Sequence, residues 1–356
     1  MLNFISAKEA AEKWNISQRR VSVLCNEHRI DGAMMVGNMW IIPSTAEKPI
    51  DKRTVRNEKS KTIALKPFVK WVGGKSQLVE QIEKMLPTDG EKVLTKYAEP
   101  MVGGGALLFS ILSKYDFEKL YISDINAELI NAYQTVKNDI DNLIAKLNEM
   151  QMLFLPMAEN GRKYFYYNVR EKFNSTTLTE ETATEKAAQF IFLNKTCFNG
   201  LYRVNRKGKF NVPMGAYKNP TICDDENLRN IHEALQNVTI VCGDYSLSKS
   251  FIDKDTFVYL DPPYRPISET SAFTAYNSDV FDDDEQIRLA RFIDEINASG
   301  AKIVLSNSDP KNVNEEDNFF DELYKAYQIK RVSKTAKLVA NFKGAMIRHE
   351  PKRLCN

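Results

Sequence analysis

Apolar positions along this chain fall into two rhythms. Short unbroken runs at Val93–Tyr97, Leu120–Ser123, Val238–Val241, Phe257–Leu260 and Ile303–Ser306 have the length and composition of buried strands. Between several of them apolar residues recur at helical spacing, as in Ala127–Lys137 and Glu285–Ile296. Strands alternating with helices predict an α/β fold around a parallel sheet. From about residue 141 to 236 the alternation breaks into a stretch rich in Tyr, Phe, Asn and basic residues, which predicts an inserted, mostly helical subdomain. Glu47 to Lys66 is crowded with Lys, Arg, Glu and Ser and has few apolar anchors, the composition of a linker. Three parts are therefore expected: residues 1–50, a linker at 51–66, and a main domain at 67–356.

The first part has its own signals. Ser6-Ala7-Lys8-Glu9 has the form of a capping box, with Ser6 as N-cap and Glu9 three residues on. Ala10, Ala11 and Trp14 continue that helix, Asn15 makes a turn, and Ser17 opens a second helix with Gln18, Arg19, Arg20, Val21 and Leu24. Met34 to Ile42, with Gly37-Asn38 in the middle, reads as a β-hairpin. Helix, turn, helix and hairpin resembles the winged helix-turn-helix domains of excisionase type, in which the second helix meets DNA. The alternative is a small packing or dimerisation module.

Composition narrows the setting. The chain has 356 residues, 43% hydrophobic and 27% charged, as expected of a globular protein with two domains. No apolar run reaches the roughly 18–20 residues of a membrane helix, and Lys8 and Glu9 interrupt any signal-peptide pattern, so a cytoplasmic protein without membrane contact is expected. The five cysteines include no C-x-x-C pair, and the three histidines are far apart, so reduced thiols and no metal site are expected. A net charge of +2 hides an uneven distribution. Between Lys186 and Cys223 there is no Asp or Glu, while Lys195, Arg203, Arg206, Lys207, Lys209 and Lys218 fall inside that stretch. Acids gather instead at Asp279–Glu285. One concentrated basic segment points to a local polyanion site.

Two loops carry candidate ligand chemistry. Glu99-Pro100-Met101-Val102-Gly103-Gly104-Gly105 follows a strand and precedes the helical start Ala106–Phe109. Its glycines let backbone approach a ligand closely, although a dinucleotide fingerprint fails because its last glycine would fall on Leu108. Asp124 ends the next strand, about 20 residues on, where an acid commonly holds ribose hydroxyls. It reads equally as the N-cap of the helix starting near Ala127. Asp244, after the Val238 strand, is either an acceptor for an adenine amine or a plain turn residue. Gly74-Lys75-Ser76 looks like the end of a phosphate loop, but Val69 stands where that loop needs glycine.

The sharpest motif is Asp261-Pro262-Pro263-Tyr264, which follows the buried strand Phe257–Leu260. Two prolines fix their own φ and remove two amide donors, so the turn presents acceptors, the Asp261 carboxylate and the Pro262 carbonyl. An exocyclic base amine is a poor nucleophile. Two acceptors on its hydrogens draw the nitrogen toward sp³ and stabilise the positive charge that develops as it attacks a methyl on a sulfonium held in line. Tyr264 offers a face on which a flipped base stacks.

From Pro67 onward the chain resembles the Dam-type DNA adenine methyltransferases, whose order is cofactor loop, recognition insert, then DPPY. The match runs through Phe68–Lys75, Glu99–Phe109, Ser123–Asn126, Phe198–Arg203, Gly208–Gly215, Asp261–Tyr264, Phe273–Tyr276 and Leu305–Asn307. The resemblance implies a Rossmann-like methyltransferase sheet with a target-recognition insert. It places Trp71, Lys75, Asp124 and Asp261 around S-adenosyl-L-methionine. With Gly74, Glu99, Gly103, Gly105 and Asp244 these make the expected cofactor site, and Asp261, Pro262, Pro263 and Tyr264 the catalytic turn. Asn199, Leu201, Arg203 and Pro213 would meet double-stranded DNA, with Lys70 reading a flanking guanine. The implied product is N6-methyladenine, at GATC. The segment Leu338–Asn356 matches the family's closing strand pair poorly, so altered or truncated final strands are expected. Cytosine-N4 methylation uses the same amine chemistry and stays open, as does a non-catalytic regulator acting through the N-terminal helices. A second DNA contact through residues 1–50 and a partner restriction endonuclease complete the expectations.

Overall fold

The structure, a computed structural model, describes residues 4–14, 16–27, 29–37, 39–46, 48, 64–71, 79–83, 94–265, 281–312, 314–333 and 343–348. The chain divides into two compact units, Met1–Thr62 and Ile63–Asn356.

The first unit contains β1 (Phe4–Ser6), α1 (Ala7–Trp14), α2 (Gln18–Asn26), β2 (Met34–Val36) and β3 (Met39–Pro43). The capping box forms: the Glu9 amide donates to Ser6 Oγ at 3.2 Å, and the Ser6 amide to Glu9 Oε2 at 2.8 Å. Ala10, Ala11, Trp14, Val21, Leu24 and Ile42 close a small core. The strands pair antiparallel in the order β1-β3-β2. The hairpin displays Met34, Met35, Val36 and Met39, each about half exposed or more, and no charged side chain among them.

The second unit holds α3 (Val79–Glu83), β4 (Lys96–Glu99), α4 (Ala106–Lys114), β5 (Lys119–Asp124) and α5 (Ala127–Asn138). Then come α6 (Ile140–Phe154), α7 (Glu159–Ser175), α8 (Ala183–Thr196), α9 (Asp225–Leu235), β6 (Val238–Cys242) and β7 (Thr256–Leu260). It closes with α10 (Asp283–Ala298), β8 (Lys302–Ser308), α11 (Phe319–Leu323), β9 (Gln328–Ser333) and β10 (Lys343–Arg348). One sheet runs β6-β5-β4-β7-β8-β10-β9. The five strands from β6 to β8 are parallel, and β10 is antiparallel to both its neighbours. The expected α/β architecture with a parallel central sheet is present.

Each face of the sheet is buried by alternate residues of the same strands. On β7 every residue is buried: Phe257 and Tyr259 enter a core shared with α4, α5 and α8, while Val258 and Leu260 enter a second core with α10. The helices between α5 and β6 share the first core and are continuous with the sheet's packing. The order in which strands are added reverses at β4, whose two neighbours are β5 and β7, and ligands bind outside the carboxyl ends of strands at such a switch.

Two expectations are corrected. The closing strand pair is present: β10 lies between β8 and β9, with Gly344 opposite Ser308 on one side and Val332 on the other. An interior strand is specified by hydrogen-bond ladders on both edges, so its weak apolar pattern hid it. Leu65 and Lys66, read above as linker, are tied to the second unit. The Leu65 amide donates to Ser113 Oγ at 3.2 Å, and the Asn227 side chain pairs with both the N–H and the C=O of Lys66. Composition does not reveal an anchor whose partner lies 161 residues away.

Candidate active site

The loop after β4 is shaped by its own backbone. Gly103 and Gly105 have φ of +49° and +69°, in the left-handed region that favours glycine. A side chain on Gly103 or Gly104 would also strike Trp71, 2.8 Å from the nearest atom. The Tyr133 hydroxyl donates to the Gly103 carbonyl at 3.1 Å, and the Val102 amide to Ser123 O at 3.0 Å. The loop is thus fixed to β5 and α5 before any ligand arrives.

Asp124 stands at the end of β5 with both oxygens in use. Oδ2 accepts the Gly103 amide at 3.0 Å and Oδ1 the Asn126 amide at 2.9 Å. Burial raises its pKa, and these amides oppose the rise. It is not the helix cap; Asn126 is, accepting from the Leu129 amide at 3.0 Å.

Glu99, only 3% exposed, ends β4 and accepts the Tyr97 hydroxyl at 2.6 Å. Burial pushes its carboxyl up to about 8; the Tyr97 bond opposes this, and the nearby charge of Asp261 adds to it. The two acids leave adjacent parallel strands, β4 and β7, at the same end of the sheet.

After β7 the residues expected to form the catalytic turn emerge with Pro262 buried, Pro263 exposed, and Asp261 and Tyr264 between. Gln286, wholly buried on α10, donates to the Pro263 carbonyl at 3.3 Å and accepts from Asn307 Nδ2 at 3.0 Å. The Tyr259 hydroxyl donates to Ser306 Oγ at 2.9 Å beneath the turn.

Asp244 follows β6 and is held more firmly than a plain turn residue. Arg288 donates to both its oxygens at 3.1 and 2.7 Å, and the Ser246 amide adds a third bond at 3.0 Å. The Arg288 guanidinium holds the carboxyl at about 2, so it is ionised at any working pH. Arg288 also lies over the Tyr245 ring, 4.5 Å from its centre.

The residues expected at DNA gather elsewhere, on an irregular hairpin from Cys197 to Met214, with Lys70 beside it. Asn199 and Arg203 are exposed, Leu201 is half-buried, and exposed Pro213 accepts the Phe198 amide at 2.9 Å. Arg203 Nε donates to Asn211 Oδ1 at 2.8 Å. Asn199 has φ +54°, the one non-glycine residue with positive φ among the described residues. Gly200 must be glycine, because a Cβ there would lie 2.5 Å from the Lys70 side chain. Buried Asn194 accepts the Lys70 amide at 2.7 Å and donates to the carbonyls of Lys70 at 2.7 Å and Gly200 at 3.1 Å. The Lys70 ammonium sits over the Tyr217 ring at 4.0 Å. Trp71 joins the two regions, resting on Gly103 and Gly104 and stacking on Tyr202 with ring centres 5.7 Å apart. Gly74, Lys75 and Phe273–Tyr276 lie outside the described residues.

Sequence reasoning missed four residues. Phe198 is 51% exposed on the strained turn, and its aromatic ring beside Asn199 in a basic segment was a usable signal. Asn194 closes the apolar run Phe190–Leu193, and a polar residue there hinted at a buried partner. Nothing in the sequence marked Gln286 or Arg288, whose partners are distant along the chain.

A glycine loop and an acid on one strand pair, a proline turn after the next strand, and a separate basic hairpin define a methyltransferase that acts on nucleic acid. The chain belongs to the D12 class of N6 adenine-specific DNA methyltransferases, whose family profile matches residues 71–338. It is an adenine-specific DNA methyltransferase, and the family decides for adenine over cytosine. The type II methyltransferase M.MjaIII of Methanocaldococcus jannaschii is 50% identical over 281 residues, 79% of this chain and 94% of that protein. The type II methyltransferase M1.LlaDCHI of Lactococcus lactis is 38% identical over 77% of this chain and 89% of its own. The DNA adenine methylase of Vibrio cholerae is 37% identical over 68% and 81%.

Proposed function

We propose that the protein methylates adenine N6 in duplex DNA at GATC, using S-adenosyl-L-methionine. The observation that carries this reading is the placement of Asp261 beside the buried, proton-holding Glu99 at the switch point of the sheet. A cationic ligand group set against Glu99 would favour its ionised form, which suits a donor bearing an ammonium and a sulfonium. S-adenosyl-L-methionine, when bound, supplies an electrophilic methyl. Trp71, Gly74, Lys75, Glu99, Gly103, Gly105, Asp124 and Asp244 would hold it, with the ionised Asp244 as acceptor for its adenine amine. Asp261 and the Pro262 carbonyl accept the target amine's hydrogens and stabilise its developing charge, and Tyr264 stacks on the flipped base.

Lys70, Asn199, Leu201, Arg203 and Pro213 would read the site, since Arg and Lys recognise guanine by paired acceptors in the major groove. Phe198 has the form of an aromatic wedge that fills the space a flipped base leaves. The N-terminal unit is a winged helix-turn-helix over residues 1–50 that makes a second DNA contact. Its hairpin carries no charge, so that contact falls to α2, where Gln18 and Arg19 are exposed. The type II relatives support a restriction endonuclease as partner.

The test is transfer of label from S-adenosyl-L-methionine to a GATC duplex, against duplexes with one base pair replaced. Label in N6-methyladenine, lost on changing any of the four pairs and abolished in Asp261→Ala with DNA binding retained, is the expected result. Folded protein that labels no duplex would refute it, and label independent of sequence would refute the GATC assignment alone.

A further inference from the structure

The catalytic turn has a mechanical problem. Two consecutive prolines leave residues 262 and 263 without amide donors, so the turn cannot be held by hydrogen bonds from its own backbone at those positions. The structure supplies the hold from outside, and it does so from one face of one helix turn. Gln286 grips the Pro263 carbonyl at 3.3 Å and is itself fixed by Asn307 on β8. Two residues after Pro263, Arg265 donates from Nε and Nη2 to the two oxygens of Asp283, at 2.6 and 2.8 Å. Asp283 and Gln286 are three apart in the first turn of α10 and therefore share a face. Arg265 reaches a third element through Nη1, which donates to Asp317 Oδ2 at 2.6 Å, and its guanidinium lies over the Phe319 ring at 4.5 Å. The peptide carrying Tyr264 is thus anchored immediately before and immediately after that residue.

We propose that Arg265 and Gln286 are positioning residues that lock the face of Tyr264 against the target base, with Arg265 the principal lock. This rests on the reading of Asp261–Tyr264 as the methyl-transfer turn. Arg265 acts through geometry. Its charge is met by two aspartates, so it adds no net positive field to the acids of the site, and three of its five N–H donors are already committed. A planar fork that binds one carboxylate on two oxygens and a second on a third donor fixes direction as well as distance, which a lysine cannot do. A displacement of about 1 Å in a reacting centre costs on the order of 10²-fold in rate, so a loosened turn reads out in chemistry before it reads out in binding.

The experiment compares wild type, Arg265→Ala, Arg265→Lys, Asp317→Asn and Asp261→Ala. It measures the single-turnover methylation rate at saturating S-adenosyl-L-methionine and duplex, both dissociation constants, and the salt dependence of DNA binding. It adds the fluorescence of 2-aminopurine placed at the target adenine. Arg265→Ala should slow methyl transfer roughly 10²-fold with both dissociation constants unchanged, Arg265→Lys should recover only part of the rate, and the 2-aminopurine signal should report lost stacking. Asp317→Asn removes one limb and leaves the helix start intact, so it carries the test through a smaller rate loss should Arg265→Ala not fold. A rate within about twofold of wild type in the Arg265 and Asp317 variants, with Asp261→Ala inactive, overturns the lock alone. A salt slope reduced by about one in Arg265→Ala also overturns it, since Arg265 would then be a phosphate contact. An active Asp261→Ala overturns the reading beneath it.

Discussion

Around Gly103–Gly105 the chain is held by main-chain geometry: left-handed glycines, an indole lying on them, and the Asp124 carboxyl receiving the Gly103 amide. Around Phe198–Gly200 it is held by a neutral side-chain amide. Asn194 pairs with the N–H and C=O of Lys70 as a neighbouring strand would, and reaches on to Gly200. The same device recurs where Asn174 pairs with both backbone groups of Phe210 and Asn227 with those of Lys66. The proposed cofactor side is acidic and partly to fully buried, whereas the proposed DNA side is exposed and basic. Glycine and buried acid suit the proposed role of a site that takes a cationic cofactor. Amide staples suit a surface that must stay ordered among like charges, because they add rigidity without adding charge.

The largest effect that would sharpen this contrast is expected from Gly105→Ala. It forces a Cβ into the left-handed region and against the Tyr133 hydroxyl and the Phe109 ring. A cost of about 1–2 kcal/mol for the backbone and about 1–3 for overpacking should lower the melting temperature and weaken cofactor binding more than tenfold. Unchanged cofactor affinity by calorimetry would mean the loop is not held by its backbone.

Asn194→Ala comes next. It strips partners from three backbone groups, at about 1–3 kcal/mol for each that stays dry. DNA affinity should fall while cofactor affinity holds; equal losses of both would erase the distinction between the two sides.

Glu99 gives a pH signature. Its carboxyl keeps its proton to about 8 in the folded chain against 4.5 ordinarily, so folding takes up a proton between those values. That contribution is fully present below about pH 4.5 and is lost as pH rises through 8, so stability without cofactor should decline across the window. Denaturation of Glu99→Gln should show a shallower decline, and an identical slope would place the proton elsewhere.

The smallest effect is expected from Lys209→Ala on the exposed hairpin. DNA binding should weaken alike for all sequences, with the salt slope reduced by about one. A loss confined to GATC would make Lys209 a base reader.

Much of the fold was legible because burial on both faces writes continuous apolar runs, so β5, β6, β7 and β8 were found within two residues of their ends. The positions of Asp261 and Asp124 at strand ends were legible because a proline turn and a strand end are local features. Arg288 on Asp244, Gln286 on Pro263 and Asn194 on Lys70 were not, because each joins residues from 23 to 124 apart through a side chain that could have bonded anywhere. Asp124 was open between ligand and cap until Asn126 was seen to take the cap.

The sheet has one further consequence, in time rather than space. The strand latest in sequence among the described residues, β10, lies inside the sheet between β8 and β9. A chain emerging from the ribosome folds its earlier parts first. Until residues 343–348 appear, one edge of β8 stays open and β9 has no neighbour on which to dock. β8 carries Ser306 and Asn307, the supports under Tyr259 and Gln286, so the strand beneath the proposed catalytic turn gains its second edge partner only when β10 pairs. On the reading proposed above, unfinished chains would then carry the basic hairpin well before the frame of the methyl-transfer turn has its final strand.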